Sequence, residues 1–289
     1  MIRYSSPASG RLLLLLIAVA LVSIVWLEPS LTLRAASAPG SVSSPPARPV
    51  HWSYEGEDGP AHWGGLSPAY SRCAEGKMQS PIDLIPSQES NAIPLIFDYK
   101  RSSLRIAHHE HVVDLIDNGH TIQVTVDRGS TLTTRRAVYH LAQFHFHSPS
   151  EHTVDGKAFP LEAHFVHQSE SGNFAVVGVL FEEGAPNPNL ESIIAHFPAA
   201  KGETRHEPSV ELDLGIHLPV SPLVYSYRGS FTTPPCTENV EWFVLKAAAS
   251  ASREQLAAFA TRLQGNNRPV QSPQGRKAEF TRIRERVAE

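Results

Sequence analysis

The chain has 289 residues, a formal net charge of −4 and 19% charged residues of mixed sign. That balance offers no electrostatic footprint for nucleic acid as a partner. Its only two cysteines, Cys73 and Cys236, lie outside any CxxC pair, so a zinc ribbon or thioredoxin-like centre has nothing to rest on.

At the N-terminus, Arg3 and Arg11 precede or open an apolar run from Leu12 to Leu27, and Ala36-Ser37-Ala38 follows. A short basic region, an apolar core and a small-x-small site describe an export signal. The run falls short of the ~20 residues of a membrane-spanning helix. Residues 1–38 are therefore expected to be an export signal, or a signal anchor if uncleaved, because Pro39 hinders cleavage after Ala38. Residues 39–50 (PGSVSSPPARPV) read as a Pro/Ser-rich linker. Residues 51–289 suit one domain, since large β folds of this size stay undivided. The expected location is periplasmic or extracellular, with membrane attachment only through the N-terminal segment. Export implies an oxidising compartment, where a Cys73–Cys236 disulfide is expected rather than two buried thiols.

From His51 onward the texture reads as strand-like. Residues 121–127 (TIQVTVD) alternate, 138–146 are β-branched and aromatic, 174–181 (FAVVGVLF) are nearly all apolar, and 241–245 (EWFVL) form another short run. Short strands between Gly, Pro and Asn clusters predict a mainly β (α+β) single domain on a large twisted, mostly antiparallel sheet. Two short surface helices are expected. In 189–197, Leu190, Ile193, Ile194 and Phe197 recur at helical spacing. In 252–264, Ser252 and Gln255 make a capping box, Leu256, Phe259 and Leu263 a buried stripe, and Gly265 a stop.

Fifteen histidines call for bland explanations first. His62, His196, His206 and His217 stand alone and read as surface or satisfied residues. His108, His109 and His111 (AHHEHVV) read as a solvated loop or exposed strand. The segment Gln143-Phe144-His145-Phe146-His147 differs. On a strand, side chains two apart share a face, so Gln143, His145 and His147 point one way and both phenylalanines enter the core. Two such imidazoles can reach one zinc ion. In 161–167 (LEAHFVH), Glu162, His164 and Val166 share a face by the same alternation. If this strand pairs beside the first, His164 becomes a third ligand, and three histidines leave one tetrahedral position open for catalysis. Gln143 and Glu162 are placed to hold the far nitrogens of ligands. His140, His152 and His167 fall off this pattern and read as structural.

The string QFHFHSPSEH (143–152), followed by LEAHFVH, resembles the α-class carbonic anhydrases. Further blocks match in the family's order: HWSY (51–54), GPAHW (59–63), QSPID (79–83), NGH (118–120), GSFTTPP (229–235) and NNRP (266–269). SPSEH and the cysteine after the prolines resemble the bacterial secreted branch. The resemblance implies reversible hydration of CO2 to bicarbonate and a proton by a zinc-activated hydroxide, with sulfonamides and anions as inhibitors and room for a homodimer. It assigns zinc to His145, His147 and His164, with Asn266 joining Gln143 and Glu162 behind them. Thr232, bonded to Glu151, orients the hydroxide; its backbone N–H and Thr233 face substrate. Val166, Val176, Phe231, Val240 and Trp242 line the CO2 wall, though on chemistry alone they read as ordinary core. His120 carries the proton out, and Tyr54, Asn118 and Gln123 order the waters between. Cis peptides are implied before Pro81 and Pro235. Phe231 stands where the family usually has leucine, Ser53 where it has glycine, and the AHHEHVV stretch is longer than usual.

Two other readings remain at this level. His145-x-His147-x3-Glu151 also fits the first cupin metal motif, which would make Glu151 a ligand of iron or manganese, yet no second cupin motif follows. An inactive carbonic-anhydrase-like binding module is the other, against which stand three retained histidines and the Thr232–Glu151 pair.

Overall fold

The computed structural model describes residues 50–85, 90–108, 121–217 and 223–284. Thirteen of the described strands join in one sheet. Its main path runs Thr204–Asp213, Arg101–His108, Ile122–Thr125, Val138–His147, Leu161–Ser169, Phe174–Glu183, Glu238–Leu245, Leu223–Ser230, Glu279–Arg284 and Ser90–Pro94. Most pairings are antiparallel. Phe174–Glu183 runs parallel to Glu238–Leu245 and to Ala249–Ala251, and Glu279–Arg284 runs parallel to Ser90–Pro94. This is the large mixed sheet with few helices that the alternating sequence predicts.

Alternation sorts the central strands into two faces. Phe144, Phe146, Phe165, Val177 and Phe181 enter one core cluster, covered by helices Pro188–Ala195 and Arg253–Leu263 through Leu190, Ile193, Leu256 and Phe259. Phe144 stacks on Phe165 at 4.8 Å, and Phe146 meets Phe259 at 4.6 Å. Val166, Val176, Trp242 and Tyr227 form a second cluster on the other face. The strand carrying His164 is buried on both sides, so no solvent loosens it.

Both expected helices are present. The first is shifted to Pro188–Ala195, with Asn187 as its cap accepting from two backbone N–H groups. Phe197 lies beyond its end but still packs edge-on against Phe259. The second opens with the full Ser252–Gln255 capping box; its reversal begins one residue early, at Gln264 (φ 54°), ahead of Gly265.

The segment after His51 departs from the strand-like expectation. It folds into short turns of helix, Gly56–Asp58, Trp63–Leu66, Pro68–Tyr70 and Arg72–Glu75. The reason is a local core: Trp52, Trp63 and Tyr70 are buried around a Cys73–Cys236 disulfide. Gathering these bulky groups from so short a stretch needs compact turns, where a strand would splay them to opposite faces. Gly64 permits the contact, since a Cβ there would lie 2.4 Å from that of Ala74. The disulfide closes a separation of 163 residues. Cis peptides precede Pro81 and Pro235 as expected, and a third precedes Pro149.

His167 is structural, as its position off the site pattern suggests. It is fully buried, with Nε2 2.7 Å from the Tyr99 hydroxyl and Nδ1 3.3 Å from the Ala175 carbonyl. Burial pushes its pKa down to about 3. An unfolded chain binds this proton near pH 6.5, so the stability from neutral His167 is complete above that pH and is lost as pH falls toward the folded value. Denaturant titrations at pH 7 and 4.5 should show the wild type losing about 2–3 kcal/mol more than His167→Gln over this interval.

Candidate metal centre

Strand register brings the predicted ligands together. His145 lies directly opposite His164, and His147 opposite Glu162, across the antiparallel pair. Residues opposed in this way share a face. The ring nitrogens of His145, His147 and His164 converge within 4.8 Å of one another, and all three residues are buried.

Each imidazole has one nitrogen beside an oxygen acceptor. His145 Nδ1 donates to Gln143 Oε1 at 2.9 Å, and His147 Nδ1 donates to the Asn266 carbonyl at 2.7 Å. His164 Nε2 lies 2.9 Å from Glu162 Oε1. The remaining nitrogens are Nε2 of His145, Nε2 of His147 and Nδ1 of His164. The Nε2 of His147 is buried without a hydrogen-bond partner, an expensive condition unless something occupies the space before it. Burial pushes the pKa of His147 down to about 4 and lowers that of His164, so both rings are neutral, the form that ligates metal. Neutral, convergent and backed by acceptors, this donor set fits zinc.

Asn266 does more than the sequence suggests. Its carbonyl holds His147, its side-chain oxygen accepts from Ser148 N–H at 3.0 Å, and its amide donates to the Phe146 carbonyl at 2.8 Å. Two residues on, Arg268 N–H donates to Glu151 Oε1 at 2.8 Å. The Arg268 guanidinium is itself buried, donating to Gln79 Oε1, the Ser80 carbonyl and the Cys73 carbonyl. Burial pushes Glu151 up to about 7, against hydrogen bonds from the Thr232 side chain and Arg268 N–H. Thr232 is buried, and so is Thr233, whose carbonyl accepts from Cys236 N–H.

The five residues of the expected apolar wall assemble. Val166 faces Val176, which faces Trp242 across the next strand. Val240 joins them, Phe231 packs at the margin against Phe174 at 4.9 Å, and the Trp242 ring lies 4.8 Å from that of His164. Gln123 lies opposite His145 on the neighbouring strand. Tyr54 packs edge-on against Trp52 and Trp63. Asn118, His120, His109 and His111 lie outside the described residues, as does the His108 side chain.

Sequence reasoning set His152 aside, and the structure places it in the centre's support. Its Nδ1 lies 2.7 Å from Glu162 Oε1, and its Nε2 lies 2.7 Å from the Tyr227 hydroxyl, which lies 2.9 Å from Ser80 Oγ. Its position directly after Glu151 was the signal available; of its partners, Tyr227 comes from a strand far off in sequence.

The eukaryotic-type carbonic anhydrase family profile matches residues 58–281. The chain belongs to this family. It is 42% identical to a carbonic anhydrase of Pectobacterium carotovorum over 78% of its own length and 89% of the relative's. Among solved structures, the α-carbonic anhydrase of Thermovibrio ammonificans in complex with sulfanilamide is 39% identical, with a TM-score of 0.74 over 81% of this chain and all of that one. Carbonic anhydrase Cah3 of Chlamydomonas reinhardtii, in complex with acetazolamide, aligns with a TM-score of 0.66 at 29% identity, covering 80% of this chain and 99% of that one. Membership leaves the cupin reading without support. Consistently, Glu151 approaches His147 at Nδ1 (3.6 Å), the nitrogen already given to Asn266.

Glu162 accepts from so many groups that its loss should be felt at the metal. Glu162→Gln should weaken zinc binding by about 10–100-fold in a chelator competition. Gly178→Ala should act in the same direction more mildly, because the added Cβ would lie 3.0 Å from Glu162 Oε1.

Proposed function

We propose that the protein catalyses the reversible hydration of CO2 to bicarbonate and a proton, with zinc held by His145, His147 and His164. The observation that carries this reading is the convergence of three buried imidazoles, each with one nitrogen beside an oxygen acceptor, next to the buried Thr232–Glu151 pair. Zinc in such a site supplies the Lewis acidity that makes hydroxide available at neutral pH, a role for which carbonic anhydrase is the type case.

The chain's own groups account for the rest. The Thr232 hydroxyl donates to Glu151, so its oxygen lone pairs face the site as acceptors and any hydroxide bound there must donate to it. That fixes a lone pair toward the substrate. Arg268 N–H holds Glu151 in place for this task. The Val166–Val176–Trp242 row, with Val240 and Phe231, gives apolar CO2 a surface that water does not compete for. Phe231 is bulkier than the leucine usual in the family, which narrows this pocket and lowers turnover. His120 accepts the outgoing proton, imidazole being the side chain suited to proton exchange near neutral pH, while Tyr54, Asn118 and Gln123 order the water path.

Sulfonamides are expected to bind at the zinc; two of the related structures are complexes with sulfanilamide and acetazolamide. The basic, apolar and small-residue blocks of residues 1–38 support export, and the Cys73–Cys236 disulfide fits an oxidising compartment.

Stopped-flow CO2 hydration by the zinc-loaded protein tests the function; a rate no faster than buffer would overturn it. Thr232→Val should lower kcat/KM by roughly 10²-fold with zinc content unchanged, and Thr232→Ser should recover most of the loss. Equal rates for Thr232→Val and wild type would remove Thr232 from the reaction.

A further inference from the structure

A cavity of about 540 Å³ lies between strands Leu223–Ser230 and Glu238–Leu245 and the segment 276–279. Glu241 and Phe243 line it and alternate with Trp242, whose ring faces His164, so these two point away from the three histidines; Trp242 and Tyr227 also border it. The volume is that of a small-molecule site, and the proposed reaction uses none of its charged lining.

Its charge is unbalanced. Glu241 is neutralised in place by Arg136 at 2.9 Å. Arg228, Arg276 and Lys277 also line the cavity, and none of them closes an ion pair among the described residues. Arg135 adds a further cation to the lining, while Glu279 and Glu241 are its acidic residues; Glu241 also attracts Arg228, its cross-strand neighbour, and Glu238 attracts Arg276 from beyond ion-pair distance. Arg276 is the most constrained. Its Nε donates to the Pro273 carbonyl at 3.0 Å, Nη1 to the Arg228 carbonyl at 2.7 Å and Nη2 to the Gln79 carbonyl at 2.7 Å. It also lies over the Tyr227 ring, 5.8 Å from the centroid. Carbonyls fix the guanidinium without neutralising it. Nη2 also reaches the Ser272 carbonyl at 3.5 Å, so of its five donors the second Nη1–H is left, in a planar group already held in one orientation. Holding a partly buried cation with its nearest carboxylate, Glu238, beyond ion-pair distance costs free energy, and a preorganised cation is what an anionic ligand exploits. Beside it, Phe243, Met78 and Pro94 supply an apolar wall.

We propose that this cavity binds a small organic anion, its carboxylate or phosphate set among Arg276, Arg228 and Lys277 and its apolar body against Phe243, Met78 and Pro94. None of the groups proposed to hold the anion is a candidate zinc ligand, so the proposal stands or falls independently of the reaction above. Neutral ligands of the same shape lose the charge contact, and inorganic phosphate loses the apolar one.

The test is a titration of the full-length protein, zinc-loaded and 15N-labelled, with 3-phenylpropionate, followed residue by residue by NMR. Saturable shifts are expected at the amides of Arg228, Phe243, Arg276 and Lys277. The isosteric 3-phenylpropionamide and inorganic phosphate should each bind at least ten-fold more weakly. The double variant Arg228→Glu/Lys277→Glu should lose the same ten-fold while its CO2 hydration rate stays that of the wild type. Saturable shifts confined to residues around His145, His147 and His164 would overturn the proposal. So would equal binding of the amide, or full binding by the folded charge-reversed variant.

Discussion

The carboxylate of Glu162 is the interaction on which the centre depends. It is fully buried, where an isolated negative charge is costly to hold. It is held by four groups: Oε2 accepts from the backbone N–H of Glu151 and of His152 at 2.9 Å each, while Oε1 meets His152 Nδ1 at 2.7 Å and His164 Nε2 at 2.9 Å. Burial alone would raise its pKa, yet the two histidines hold it well below the usual carboxylate range. One ionised group thereby orients His164, a candidate zinc ligand, and holds the backbone that carries Glu151. Gly178 opposite His164 leaves the space this carboxylate occupies.

A second constraint acts from the far end of the chain. The segment from Asn266 to Arg268 holds His147 through a carbonyl and Glu151 through an amide. The Arg268 side chain then fastens that segment to Cys73, Gln79 and Ser80, and its guanidinium lies over the Trp63 ring. The aromatic cluster around the disulfide is thus part of the site's scaffold, although it contributes no group to the three-histidine cluster. Rigid support of this kind is what a catalytic constellation needs.

What could be read in the sequence follows from which interactions are local. Alternation along 143–147 and 161–167 put the histidines and the two acceptors Gln143 and Glu162 on shared faces, because a strand's period of two is a property of the chain itself. The pairing of His145 with His164 had to be assumed, since register depends on the turn and bulges between the strands. The capping box of Ser252 and Gln255 was legible for the same local reason. By contrast, the helical turns after His51 answer to a tertiary aromatic core, which overrode their strand-like texture. His152 was read as structural, but its tie to Tyr227 and the role of Arg268 could not be read because those partners are distant in sequence.

The central claim is that one metal ion sits where Nε2 of His145, Nε2 of His147 and Nδ1 of His164 converge. Diffraction from crystals of the native protein, recorded on both sides of the zinc absorption edge, locates the ion without assuming a function. A single anomalous peak that appears only above the zinc edge, bonded to those three nitrogens, is the predicted result. A peak among His152, Glu162 and His164, or a metal whose edge is that of iron or manganese, would contradict it.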